Sequence, residues 1–321
     1  ASRYSSNFIQ FYDHMSYGKL SFDVFVPNQY FHIPKPSNSY DMNLTQGVTN
    51  PRVDTYFRDA ISAASPYIDF TKFDFVYVIP PENNGNITYG PSFTTRQGDP
   101  AWTVNGHTFL HGAVAGSDSR DTLNSLEWVW MAHETGHQFG LIHPFAISSN
   151  SLGVSSSLPS TLGIWELMNN MFKWSDQADE FYGWSRFFIG WLSNSQVVCI
   201  DASTQKDSSF KYQISPIEAQ DQRLKTVIIK ESPTTALVIE VRRNMGFDSV
   251  PDSYGGVLVY HVDISKVQNQ GLITILSDNK NLSNGMTIGT MGVGSNVSED
   301  GINVRVVSHS DQLDGVEITL P

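Results

Sequence analysis

The rhythm of apolar and polar positions changes along the chain, and each change predicts an element. Leu20–Pro27 (LSFDVFVP) alternates, which predicts a strand, whereas Val53–Ser65 repeats its apolar residues at three- and four-residue steps, which predicts a helix. Phe73–Pro81 (FDFVYVIPP) is almost continuously apolar and ends in prolines, the pattern of a buried central strand. The Gly-, Asn- and Thr-rich stretch Glu82–Asn105 reads as loop, and Phe109–Ala115 as a further strand. From Asp121 a helix is predicted, because Leu126, Val129, Trp130, His133 and His137 fall on one face, and Gly140 is placed to end it. Ala146–Gly163 is Ser- and Gly-rich and reads as loop; Ala178–Leu192 has a second helical pattern. Its aromatic stripe, Phe181, Trp184, Phe188 and Trp191, is expected to be core.

Beyond Val197 the pattern becomes short β-like runs between turn residues: LKTVIIKE, TALVIEVRR, GGVLVYHVD, LITILSD, INVRVVSH and GVEITL. Such spacing predicts a sandwich of antiparallel strands. The expected fold is therefore α+β: residues 1–195 with a mixed sheet and a helix carrying the chemistry, then a β-sandwich-like domain over residues 196–321.

Composition narrows the function. With 40 % hydrophobic and 16 % charged residues, the 321-residue chain has the material for a compact core. A net charge of −12 repels phosphate backbones and anionic lipid, which argues against a nucleic-acid or membrane-surface partner. No apolar run reaches the roughly 18 residues of a membrane span, and the start ASRYSSNFIQ lacks the layout of a signal peptide, so a mature or trimmed product is expected. Cys199 is the only cysteine, excluding an intramolecular disulfide and a thiol-rich metal site. Acceptor sequons at Asn43, Asn86, Asn281 and Asn296, few lysines and low charge fit a secreted, extracellular protein.

The chemistry concentrates in HETGHQFGLIH, His133–His143. Two histidines four apart on a helix project from one face and can reach one ion. Glu134 lies beside them, where a general base can serve a metal-bound water without ligating the metal. If Gly140 breaks the helix, His143 can turn back as third ligand, leaving a fourth position open. Imidazole ligands in this arrangement favour zinc. His107, His111 and His261 have no ligand-like spacing.

The HExxHxxGxxH pattern resembles the metzincin signature, whose members carry a methionine turn beneath the zinc; Met168 in GIWELMNN is the candidate, with Met171 its rival. The wider layout resembles the immune inhibitor A family of secreted metallopeptidases. FYDHMSYGKLSFDVFVP, FDFVYVIPP, HETGHQFGLIH, GIWELMNN, FYGWSRFFIGWL, LVIEVRR and GGVLVYHVD carry that resemblance. His143 departs from it, standing where some relatives have an acidic residue. Glu166 is a candidate to orient a ligand histidine, or else a surface salt bridge or cap; Tyr182 is the candidate, among about a dozen other tyrosines, to stabilise the oxyanion of the tetrahedral intermediate. The loops Asp248–Asp252 and Asn83–Asn86 offer oxygen ligands for structural calcium (Ca2+) alongside the Zn2+ site.

Together these residues predict a secreted zinc endopeptidase acting on proteins or peptides, with Glu134 as base. The competing expectation is a glycan- or matrix-binding adhesion protein whose zinc domain is structural or inactive.

Overall fold

The computed structural model describes residues 2–40, 51–81, 84, 87, 93–94, 102–114, 127–145, 163–169, 180–267, 270–276 and 287–321. The chain divides into two compact units, residues 1–10 with 22–141, and residues 11–21 with 142–321. No helix among the described residues is long and apolar enough to cross a membrane.

In the first unit, α2 (Pro51–Ala64) matches the helical repeat, and its apolar face supplies Val53, Tyr56, Phe57 and Ile61 to a core that includes Val76, Val104, Phe109 and Val114. Phe57 stacks on Trp102 with ring centroids 3.9 Å apart. The small sheet runs in the order β1 (Phe75–Val78), β5 (His111–Val114), β2 (Phe93–Thr94). It is mixed, with β1 parallel and β2 antiparallel to β5. Phe73–Pro81 was expected to be central, but β5 holds that place among the described strands. Gly112 and Ala113 at the middle of β5 leave room for the rings on either side, and the Gly112 backbone lies against Trp102 and Phe57.

Two expectations fail here. Glu82–Asn105 is not all loop: it contains β2 and also β3 (Trp102–Val104), which forms a hairpin with β4 (His107–Phe109). Asn105 and Gly106 both take positive φ, 51° and 81°, as a two-residue hairpin turn with the strands' own twist requires. Leu20–Pro27 is not a strand, since no described strand pairs with it; it lies along an apolar cavity that Phe22, Phe25 and Tyr30 help to line.

The second unit is built on two sheets. The larger follows the order β11 (Ile273–Ile275), β10 (Gly256–Asp263), β9 (Thr235–Arg242), β8 (Thr226–Lys230), β6 (Val197–Asp201), with β12 (Thr290–Met291) also on β10. The smaller is antiparallel: β13 (Asn296–Glu299), β14 (Ile302–His309), β15 (Asp314–Thr319), β7 (Ser209–Ile214). Along β9 the side chains alternate: Leu237, Ile239 and Val241 share a core with Val304, Val306, Val316 and Ile318 of the smaller sheet. Two sheets thus face each other across one core. The expected all-antiparallel pairing fails at one place, where β6 lies parallel to β8.

The other face of the larger sheet, Ala236, Val238, Leu258 and Tyr260, is covered by Ile164, Trp165 and Tyr182. Residues before 195 therefore share a core with the β-rich part, and the change of pattern near residue 195 lies inside the second unit. The second helix is shorter than its pattern: α4 spans Gly183–Ile189, and Gly190 ends it with φ 85°. Phe181 and Trp191 are buried as expected, but Phe188 is 55 % exposed. The first N–H groups of α4 have no partner within the helix, and acceptors on the sheet take two of them. Glu240 Oε2 accepts from Gly183 N–H at 2.6 Å, and the Tyr260 hydroxyl oxygen from Trp184 N–H at 3.1 Å. The end of α1 (Ser2–Met15) also joins the second unit, where its Phe11 packs edge-on against Phe181 and Phe247.

Candidate metal centre

The helix α3 (Glu127–Gln138) is buried along its whole described length from Trp128 onward, the state expected of a helix apolar on most faces. Residues 121–126, where the sequence places its start, lie outside the described residues. The Tyr77 hydroxyl of β1 meets the Thr135 hydroxyl, and Thr135 in turn donates to Met131 O at 2.7 Å. The neighbouring Glu134 carboxylate adds to burial in holding the Tyr77 phenol neutral.

The end of α3 is set by local chemistry. Gly140 has φ 90°, its N–H donates to His137 O at 3.0 Å, and Leu141 N–H donates to Gly136 O at 3.0 Å. That pair of bonds is the Schellman closure, and it needs a residue free to be left-handed. The same reversal turns the chain toward His143, as the sequence predicts.

His133, His137 and His143 come together, with one nitrogen from each lying within 4.8 Å of the others. The first two rings stand one turn apart with centroids at 4.9 Å and planes at 87°. His137 Nδ1 lies 2.8 Å from Leu141 O, a contact that a proton on Nδ1 satisfies and that leaves Nε2 as the lone-pair nitrogen. His133, Glu134 and His137 are buried, and His143 is half-buried. This donor set suits zinc: three neutral imidazoles at the spacing of one ion, with a buried carboxylate next in sequence.

Around Met168 a second group of side chains forms. Asn169 N–H closes a turn on Glu166 O at 2.9 Å, and Met168 within it is buried. The Glu166 carboxylate accepts from Tyr182 N–H at 2.8 Å, the Ser185 hydroxyl at 2.9 Å and Met168 N–H at 3.3 Å. Burial pushes its pKa up to about 7 against the pull of those donors. Glu166 is thus a buried brace between this turn and the start of α4, not a surface salt bridge. Tyr182 lies fully buried with its ring 4.8 Å from Tyr260. Met171 lies outside the described residues.

Histidines without ligand-like spacing make structural contacts, as their spacing predicts. His111 stacks on Phe75 at 4.9 Å and His261 sits 3.2 Å from Glu231. The calcium expectation is not supported at Asp248–Asp252: Asp248 accepts from Glu180 N–H and from Arg242, and Asp252 from Asn244. Of the other loop only Asn84 is described.

Sequence reasoning passed over Tyr77, Leu141 O and Phe145. Tyr77 and Leu141 act through a hydroxyl and a carbonyl that no spacing rule marks. Phe145, two residues beyond His143, could have been noticed, since alternate residues of an extended segment share a side.

Residues 55–172 match the model of the reprolysin-like metallo-peptidase family M12B. The match covers a little over a third of the chain and includes His133, Glu134, His137, His143 and Met168. It supports a metallopeptidase, a hydrolase acting on proteins. No curated protein matches the chain.

Proposed function

We propose that this protein is a secreted zinc endopeptidase in which His133, His137 and His143 hold the metal and Glu134 is the general base. The observation carrying the reading is the convergence of the three histidines within 4.8 Å beside a buried Glu134, inside the stretch that resembles reprolysin-like peptidases. Zinc held there would supply Lewis acidity and make a water nucleophilic near neutral pH. The chain supplies the rest. Glu134 takes the proton that the attacking water loses and returns it to the leaving amine, so peptide N–C cleavage needs no other proton donor. Its burial keeps competing water away.

The immune inhibitor A-like layout belongs to the same proposal, with Met168 in the methionine turn, Tyr182 as an oxyanion donor and residues 196–321 as a second domain that positions substrate. Secretion rests on the composition and on the Asn296 sequon, exposed on β13.

Glu134→Gln tests the mechanism. The variant keeps the side chain's size, so zinc should remain bound while peptide cleavage falls by roughly 10²–10⁴-fold. Unchanged cleavage at full zinc occupancy would sink the assignment.

A further inference from the structure

The third ligand lies beyond the helix and cannot borrow its rigidity. Two features in the second unit supply it. His143 and Phe145 flank Pro144, which has a fixed φ and biases the residue before it toward extended backbone. The two rings lie face to face, centroids 5.1 Å apart and planes 18° apart. The backbone of the same segment is bound to the free edge of the larger sheet: Ile273 N–H donates to Pro144 O at 3.2 Å, and Gly271 N–H to Phe145 O at 3.2 Å. Residues 271 and 273 share one edge of the strand, while Leu272 O, on the opposite edge, accepts from Asp263 N–H of β10. Gly271 reaches this geometry with φ 82°, which favours glycine.

We propose that Phe145 is a positioning residue for the metal, holding the His143 imidazole plane by stacking while β11 holds its backbone. The inference rests on the three-histidine reading above. A freely rotating third ligand would lose rotamer entropy on binding the ion; one already stacked loses less, so the ring raises affinity without touching the metal. Phe145 is half-buried, and among the described residues it is outside the core clusters, so its loss should be felt more at the site than in folding.

The test compares wild type, Phe145→Leu, Phe145→Tyr and His143→Ala as metal-free proteins titrated with Zn2+ against a chromophoric chelator, then with Co2+ while the visible spectrum is recorded. Leu should weaken zinc by roughly 10–100-fold and alter the cobalt bands, Tyr should restore both to within a few-fold, and His143→Ala should lose more than either. Equal unfolding midpoints of the metal-free forms separate this from a folding defect, and Phe145→Met replaces Leu if that variant does not fold. Wild-type affinity and an unchanged cobalt spectrum in the Leu variant would overturn the proposal while leaving the metal reading intact. Equal weakening by Leu and Tyr would also overturn it. A wild-type protein that binds neither metal would overturn the three-histidine reading, and this inference with it.

Discussion

Glu166 shows how one buried carboxylate can serve a turn without a charged partner in hydrogen-bond range. Three donors converge on it, yet burial dominates and its pKa rises to about 7. Unfolded, a glutamate loses its proton near pH 4.3. Between that pH and about 7 the folded state therefore holds a proton that the unfolded state has lost, and stability falls as pH rises through this window. The total is about 4 kcal/mol at roughly 1.4 kcal/mol per tenfold change in proton affinity. Glu166→Gln removes the ionisation but turns an amide donor toward N–H groups. It should be less stable than wild type at pH 5 and lose less stability between pH 5 and pH 8. Denaturant unfolding at several pH values measures both; parallel pH profiles for the two proteins would refute the assignment.

At the scale of elements, the end of α3 is the point where local structure and site meet. The reversal that brings the chain to His143 requires a left-handed residue at position 140. Gly140→Ala should cost about 1–2 kcal/mol for the left-handed conformation. It should also weaken zinc binding, because Leu141 N–H and Leu141 O both depend on the turn, one closing the helix and the other contacting His137. Gly140→Asn, which tolerates the conformation better, should lie between. Thermal unfolding with and without zinc reads out both effects. An alanine variant with full stability and full zinc affinity would mean that the closure is not what places the third ligand.

Across the molecule, the second unit carries a buried charge cluster. Arg242 lies 3.1 Å from Glu218 and 3.0 Å from Glu240, pairs with Asp248, and sits over the Trp165 ring at 5.1 Å, all at 0 % side-chain exposure for the ionic groups. Burial nevertheless pushes Asp248 up to about 6. Arg242→Met removes the cation and leaves three buried carboxylates, so a loss of roughly 3–5 kcal/mol is expected at neutral pH. Without the arginine, which lowers the pKa of Glu218 and Asp248, these two carboxyls take protons more readily in the folded state, so the deficit should shrink as pH falls toward 5. Chemical denaturation at pH 7.5 and pH 5.5 checks the sign; a deficit that grows on acidification would contradict the cluster as described.

What the sequence determined by itself was whatever local spacing controls. The four-residue interval of His133 and His137, the glycine that ends α3, the helical repeat of α2 and the short β-like runs of β8, β9, β10, β14 and β15 are short-range patterns, and they fold as spaced. Tertiary structure decided the rest. Phe73–Pro81 has the composition of a central strand, but its rank in the sheet depends on which strands arrive beside it, and among the described strands β5 took the middle. Leu20–Pro27 alternates as a strand does, but alternation fixes only which side chains are buried, and no described strand takes the segment into a ladder. The pattern change near residue 195 marks a change of local grammar, whereas the compact unit is set by which apolar surfaces meet. Trp165 and Tyr182, from before that point, cover the sheet formed after it. The support of the third histidine likewise comes from β11, over a hundred residues away along the chain, through backbone N–H groups that every residue but proline carries and that no sequence pattern can single out.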